Sequence, residues 1–209
     1  LVSVLTCFAA GTFSANAFDA VREPLAPRID SERAAAARGD AVAASRLLRD
    51  ATECVAVQRM SARLARSRAD KHSVINDPDA YKGFAAETLK SVDSAQRRVD
   101  LSLSMCTGTT AKLAPEAMYD IALTAAKLGD NQAIACFLFA AWPSSKDVDR
   151  AKAAEYRQEA EHFRRHAVEK GDWRIVQAMY SASSGTLSYG YAAYIQAPDE
   201  VAQLRYARL

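Results

Sequence analysis

A Gly-Asp pair recurs three times between alanine-rich helical patterns, at Gly39-Asp40, Gly129-Asp130 and Gly171-Asp172. Glycine tolerates the left-handed backbone that ends a helix, where a side chain is penalised. Aspartate suits the N-cap of the helix that follows, because its carboxylate accepts from orphan first-turn amides at the positive end of the dipole. Each pair therefore predicts a tight joint between two helices. The flanks repeat as well: Ala35, Ala125 and Ala167 lie four residues before the glycine, Ala43, Ala133 and Ile175 four after it, and Leu47, Phe137 and Met179 eight after it. That is one apolar helix face in three copies. The copies are separated by 90 and then 42 residues, so a long segment is inserted between the first two.

Composition supports the same class. Alanine supplies 44 of 209 residues against eight glycines and six prolines, which favours closely approaching helices throughout. The expected fold is all-α, with antiparallel helical hairpins stacked as an irregular α-solenoid. The net charge of +2, from 27 basic and 25 acidic side chains, supplies no strong field for nucleic acid or anionic lipid.

Residues 1–17, LVSVLTCFAAGTFSANA, are uncharged, largely apolar and end in the small-x-small pattern Ala15-Asn16-Ala17. This is the pattern of a secretory signal peptide cleaved after Ala17, and it predicts a periplasmic or secreted protein with no membrane association once the signal is removed. The segment has neither a starting methionine nor a basic region, as though its first residues were missing. It is shorter than the roughly 20 residues that span a bilayer, and Thr6 is a poor residue to precede a lipidated Cys7. The organisation expected is a signal peptide over 1–17, a long-helix hairpin region over 18–112 and a helical-repeat region over 113–209.

Export would place Cys54, Cys106 and Cys136 in an oxidising compartment, with one bridge and one spare thiol. Cys54 shares a stripe with Leu47, Ala51, Val57 and Leu64, and Cys106 continues that of Val92, Val99 and Leu103. A Cys54–Cys106 bridge would close about 52 residues and contribute on the order of 4 kcal/mol by loop entropy. A straight hairpin turning near Asn76 leaves the two cysteines out of register by roughly 12 Å. The bridge then requires a bent helix, or Cys106 in the loop with Thr107-Gly108-Thr109; the alternative is three buried thiols acting as small hydrophobes.

Along the chain, residues 18–29 with Pro24 and Pro27 are expected to be extended. Helical patterns cover about 31–38, 40–68, 79–104, 115–128, 130–142, 147–170, 172–182 and 198–209. Asn76-Asp77-Pro78 marks a turn, and Ser183-Ser184-Gly185 a loop.

The stretches LTAAKLGDNQAIACFLFAAW, HAVEKGDWRIVQAMYSASSG and SYGYAAYIQAPDEVAQLRYARL resemble Sel1-like repeats of the tetratricopeptide-like superfamily, over about Pro115 to Leu209. The Leu-Gly-x-x-Tyr stretch of that family is absent after Gly129, and the repeat lengths are irregular. The resemblance implies an α-solenoid that scaffolds protein assemblies and carries over no catalytic residue.

No motif points to an active site or cofactor. His162 and His166 are spaced to share a face with Glu155 and Glu159, where a metal ion could bind, but Phe163 stands where a zinc protease needs its glutamate. A solvated face laced with pairs such as Arg157–Glu161 and Glu161–Arg165 accounts for the same residues. Gly185-Thr-Leu-Ser188-Tyr-Gly190 has one residue too many for a nucleophile elbow. There is no Glu-Ser dipeptide of a lytic enzyme and no Cys-x-x-Cys-His for haem. Arg59, Arg63 and Arg66, with Arg68 and Lys71 beyond, form a basic stripe that is either a solvated face or a dock for phosphate or carboxylate.

Trp142, Trp173, Tyr180, Tyr189, Tyr191 and Tyr194 cluster in the C-terminal part. They are either large side chains wedged among core alanines or anchors of a groove for a protein or peptide, with Trp142, Trp173, Tyr180 and Tyr189 as its candidate residues. The expected role is non-catalytic scaffolding or protein binding. The alternative is an enzyme or metal-binding protein whose site is assembled across repeats.

Overall fold

The computed structural model describes residues 23–76, 82–139, 150–183 and 200–207, and among them every regular element is a helix. The elements are α1 (Ile29–Ala37), α2 (Ala41–Asn76), α3 (Lys82–Leu103), a 3₁₀ turn (Thr110–Leu113), α4 (Pro115–Lys127), α5 (Asn131–Phe139), α6 (Arg150–Glu169), α7 (Trp173–Ser183) and α8 (Glu200–Tyr206). The expected signal peptide, the remainder of the Asn76-Asp77-Pro78 turn, the serine loop beyond Ser183 and the start of the last helix lie outside the described residues.

All three Gly-Asp pairs join helices, and they do so with the same hydrogen bonds. The glycines have φ of 95°, 87° and 70°. At each, the glycine N–H donates to a carbonyl three residues back and the aspartate N–H to one five back: Ala36 and Ala35 at the first joint, Ala126 and Ala125 at the second, Val168 and Ala167 at the third. This is the Schellman ending of a helix. The alanine four residues before each glycine thus supplies the carbonyl that accepts the aspartate N–H and closes the incoming helix. The Asp40 carboxylate then accepts from the Val42 and Ala43 amides, and Asp130 from those of Gln132 and Ala133. One residue ends one helix and caps the next, which leaves no slack in the crossing.

The repeated face is buried at every copy. Ala43, Ala133 and Ile175 are enclosed, as are Leu47, Phe137 and Met179. All but Ala43 belong to a single cluster running from Leu25 to Met179. Its aromatic centre is Phe137, with ring centroids 5.5 Å from Tyr119, 5.0 Å from Tyr156 and 5.5 Å from Phe163. The Tyr156 hydroxyl donates to the Phe137 carbonyl at 3.1 Å. Burial, with the charges of Glu155, Glu159 and Asp120 adding to it, pushes the Tyr119 hydroxyl up to about 12.

Two expectations are corrected. The segment before α1 is not extended: Arg28 and Ile29 N–H groups both donate to the Leu25 carbonyl, and Leu25 and Ile29 are fully buried. Their four-residue spacing seats them in the core, which the two prolines obscure. Secondly, α2 does not stop near residue 68 but continues to Asn76, because no glycine or proline interrupts 69–76.

That extension resolves the cysteine register. Cys54 and Cys106 form a disulfide with Cα atoms 5.2 Å apart, and Cys136 is a buried thiol. In sequence number the bonded cysteines centre on 80 and the Arg68–Asp93 ion pair on 80.5, so α2 and α3 keep one register at both levels, about four residues from the one expected for a turn at Asn76. Cys106 sits in the turn over 104–108 that follows α3, so the loop placement holds.

This turn is also where the N-terminal segment is fastened. The Leu25 N–H donates to the Met105 carbonyl at 2.9 Å, and Gln58 Nε2 to the Thr109 hydroxyl at 3.2 Å. Lys112 Nζ donates to the Ala26 carbonyl and to Asp30, while Arg33 donates to the Lys112 carbonyl. Nearby, Arg28 bridges the buried Glu32 and Asp50 carboxylates at 2.6 and 2.9 Å.

Candidate partner-binding surface

The third joint sets the orientation of α7. Asp172 Oδ1 accepts from the Arg174 amide and from Arg174 Nε, both at 3.1 Å, and Oδ2 from the guanidinium at 2.9 Å. The Arg174 hydrogen bond holds the Asp172 carboxyl below its usual range against the opposing effect of burial. With the first turn so fastened, Ile175 and Met179 point into the core. Helical spacing then directs residues 173, 177 and 180 to the opposite face. Trp173 is 66% exposed and Tyr180 40% exposed. Neither is wedged among core alanines; among the described residues the core aromatics are Tyr119, Phe137, Tyr156 and Phe163.

Comparison of the three joints makes the exposure of Tyr180 informative. The residue nine positions past the glycine is Leu48 in the first copy and Leu138 in the second, and these are 1% and 0% exposed. In those copies a further helix packs on the one carrying it: α4 on α2, and α6 on α5. In the third copy the same position is Tyr180, on the helix packed by α6 and α8. Its face is incompletely covered. On α8, Val201 and Leu204 are 61% and 60% exposed, while Tyr206 is half-buried and its hydroxyl accepts from Arg164 of α6 at 2.9 Å.

Of the four groove candidates, Trp142 and Tyr189 lie outside the described residues, as do Tyr191, Tyr194 and the serine of the Gly185–Gly190 stretch. Trp173 and Tyr180 share one helix face. Val201 and Leu204, which spacing alone did not single out, add exposed apolar area on the neighbouring helix. An apolar pair three residues apart on α8 was the available signal.

His162 and His166 are both exposed on α6, with parallel rings whose centroids are 6.4 Å apart. Glu159, expected near them, instead forms an ion pair with Lys127 at 2.7 Å. Among the described residues no group of three or more His, Cys, Asp or Glu is placed to hold a metal ion. Glu161 pairs with Arg164 and Arg165. Arg59, Arg63 and Arg66 are exposed on α2. No described helix is long and apolar enough to cross a membrane.

Compared with known proteins, the chain matches no family model, no curated protein and no solved structure.

Proposed function

We propose that the chain is an exported, non-catalytic helical-repeat protein, an irregular α-solenoid of the Sel1-like kind, that binds a protein or peptide partner through its C-terminal hairpin. The observation that carries this reading is the exposure of Tyr180 where Leu48 and Leu138 are covered. In stacked hairpins, the face that would receive the next hairpin is apolar, and it either bears a polar cap or takes a partner. Here that face carries Trp173 and Tyr180, side chains that dominate the energetics of protein interfaces. The buried disulfide supports a periplasmic or secreted location, since such bonds persist in oxidising compartments.

Photo-crosslinking groups introduced at 173 and 180, with one at exposed Asp30 as the control, test the reading in the producing cell. A defined protein adduct at 173 and 180 but not at 30, lost on competition with the unmodified protein, supports it. Equal adducts at all three positions, or none, overturn it. Intact mass of the protein recovered from the producing cell tests export, with a chain beginning at Phe18 as the supporting result.

A further inference from the structure

The helices α2 and α3 extend past the core as a two-helix arm. Among the described side chains of α2, which end at Asp70, the last buried one is Cys54. On α3, Leu89 and Val92 are buried along the seam. The arm is fastened at its base by the Cys54–Cys106 bond and midway by Arg68–Asp93. Its solvent side is unusual in composition. The exposed residues of α2 from 59 to 70 are Arg59, Ala62, Arg63, Ala65, Arg66, Arg68, Ala69 and Asp70. Arg68 is engaged by Asp93, whereas no ion pair among the described residues involves Arg59, Arg63 or Arg66. Positions 59, 63 and 66 lie within a narrow stripe, with 62, 65 and 69 flanking it. The result is a row of guanidiniums beside a strip of methyl groups.

We propose that this arginine face of α2 docks an acidic helix of a partner protein. Three features favour that occupant. The guanidiniums recur at rises of about 6 and 4.5 Å, the same rises at which carboxylates recur at i, i+4 and i+7 on another helix. The flanking alanines allow a helix axis to approach to about 8 Å, which larger side chains would prevent. Planar guanidinium forks also match carboxylates in bidentate pairs. A lipid surface is the poorer match, since interfacial helices insert large apolar side chains and all exposed residues of this stretch are Arg, Ala or Asp. A nucleic acid is also poorer, given one row of three cations on a chain of net charge +2. This surface is distinct from the C-terminal one and shares with it only the premise that the chain binds proteins.

The test uses the full chain and a synthetic alanine-glutamate helix of roughly three heptads with glutamates at i, i+4 and i+7, titrated by fluorescence anisotropy. The all-glutamine analogue, heparin and phosphatidylglycerol vesicles serve as alternative ligands. The expected result is binding of the glutamate helix only, weakened about tenfold in R59Q/R63Q/R66Q and by added salt. The variant's circular dichroism and melting temperature should match the parent, since all three side chains are exposed. Trp173→Ala should leave this titration unchanged, so failure here and failure of the C-terminal surface are separable. The proposal is overturned if the glutamate helix does not bind, if the triple variant binds it equally well, or if heparin or vesicles bind in preference through the same arginines.

Discussion

Cys54, on the fourth turn of α2, is bonded to Cys106 in the turn that ends α3, at the level where the N-terminal segment and the 3₁₀ turn also meet. One covalent link thus closes the base of the arm and holds the turn to which Leu25 and Gln58 are hydrogen-bonded.

Loss of that link should be costly. Replacing both cysteines by alanine removes a constraint on about 52 residues of the unfolded chain, worth roughly 4 kcal/mol in the loop-entropy model. Thermal denaturation of C54A/C106A against the parent measures it. A drop confined to a few tenths of a kcal/mol would show that the turn is held by its hydrogen bonds alone.

Gly129→Ala and Asp130→Ala should each destabilise by about 1 kcal/mol, for different reasons. A Cβ at 129 meets nothing within 4 Å, so its penalty is the left-handed backbone itself. Asp130→Ala removes the acceptor of two first-turn amides. Urea unfolding of the two variants, with Asp130→Asn as the conservative control that keeps the cap, distinguishes these origins.

Asp172→Asn should flatten the acid limb of stability. Folding lowers the Asp172 pKa from its ordinary 3.8, chiefly through the Arg174 hydrogen bond. A depressed pKa contributes stability that is present above the unfolded value and lost as pH falls through the folded one. Asparagine retains the cap but not the charge. Because Arg174 is partly exposed, the difference at neutral pH should be only about 0.5 kcal/mol and should vanish at the acid end. A variant whose stability follows the parent's pH dependence throughout would contradict this.

Tyr119 should titrate well above the ordinary tyrosine value of 10.0. Its hydroxyl, pushed up to about 12 mainly by burial, has no hydrogen-bond partner among the described residues. Between the ordinary value of 10.0 and the folded value the native state holds a proton that the unfolded state has released, so stability falls as pH rises across that window. Tyr119→Phe should be neutral or stabilising, since it deletes an unsatisfied buried group. Absorbance titration should lose one tyrosinate step near pH 12.

Trp173→Ala should change global stability by no more than about 0.5 kcal/mol, as expected for a surface substitution. A loss of several kcal/mol would place the indole in the core, against its 66% exposure.

The helical joints were legible in the sequence because their causes are local. A glycine with φ between 70° and 95° and an aspartate beside it need only their own neighbours to end and cap a helix. Apolar residues four and eight positions later then mark the inward face. The cysteine pairing was half legible: stripe matching selected Cys54 and Cys106, but the register expected from a turn at Asn-Asp-Pro differs by about four residues from the one in which α2 and α3 pair, and α2 runs on to Asn76. Leu25 and Ile29 were missed because proline in the flanking sequence masks a buried turn that only the Met105 carbonyl and the core around it complete.

The sequence by itself determined that the chain is helical, where its joints lie and which residues face inward at each, since all three follow from hydrogen bonding and periodicity within about a dozen residues. Only the tertiary structure decided which inward-facing and flanking residues are actually covered. Leu48, Leu138 and Tyr180 occupy equivalent positions in three equivalent joints, and exposure separates them because burial depends on what packs from outside the helix.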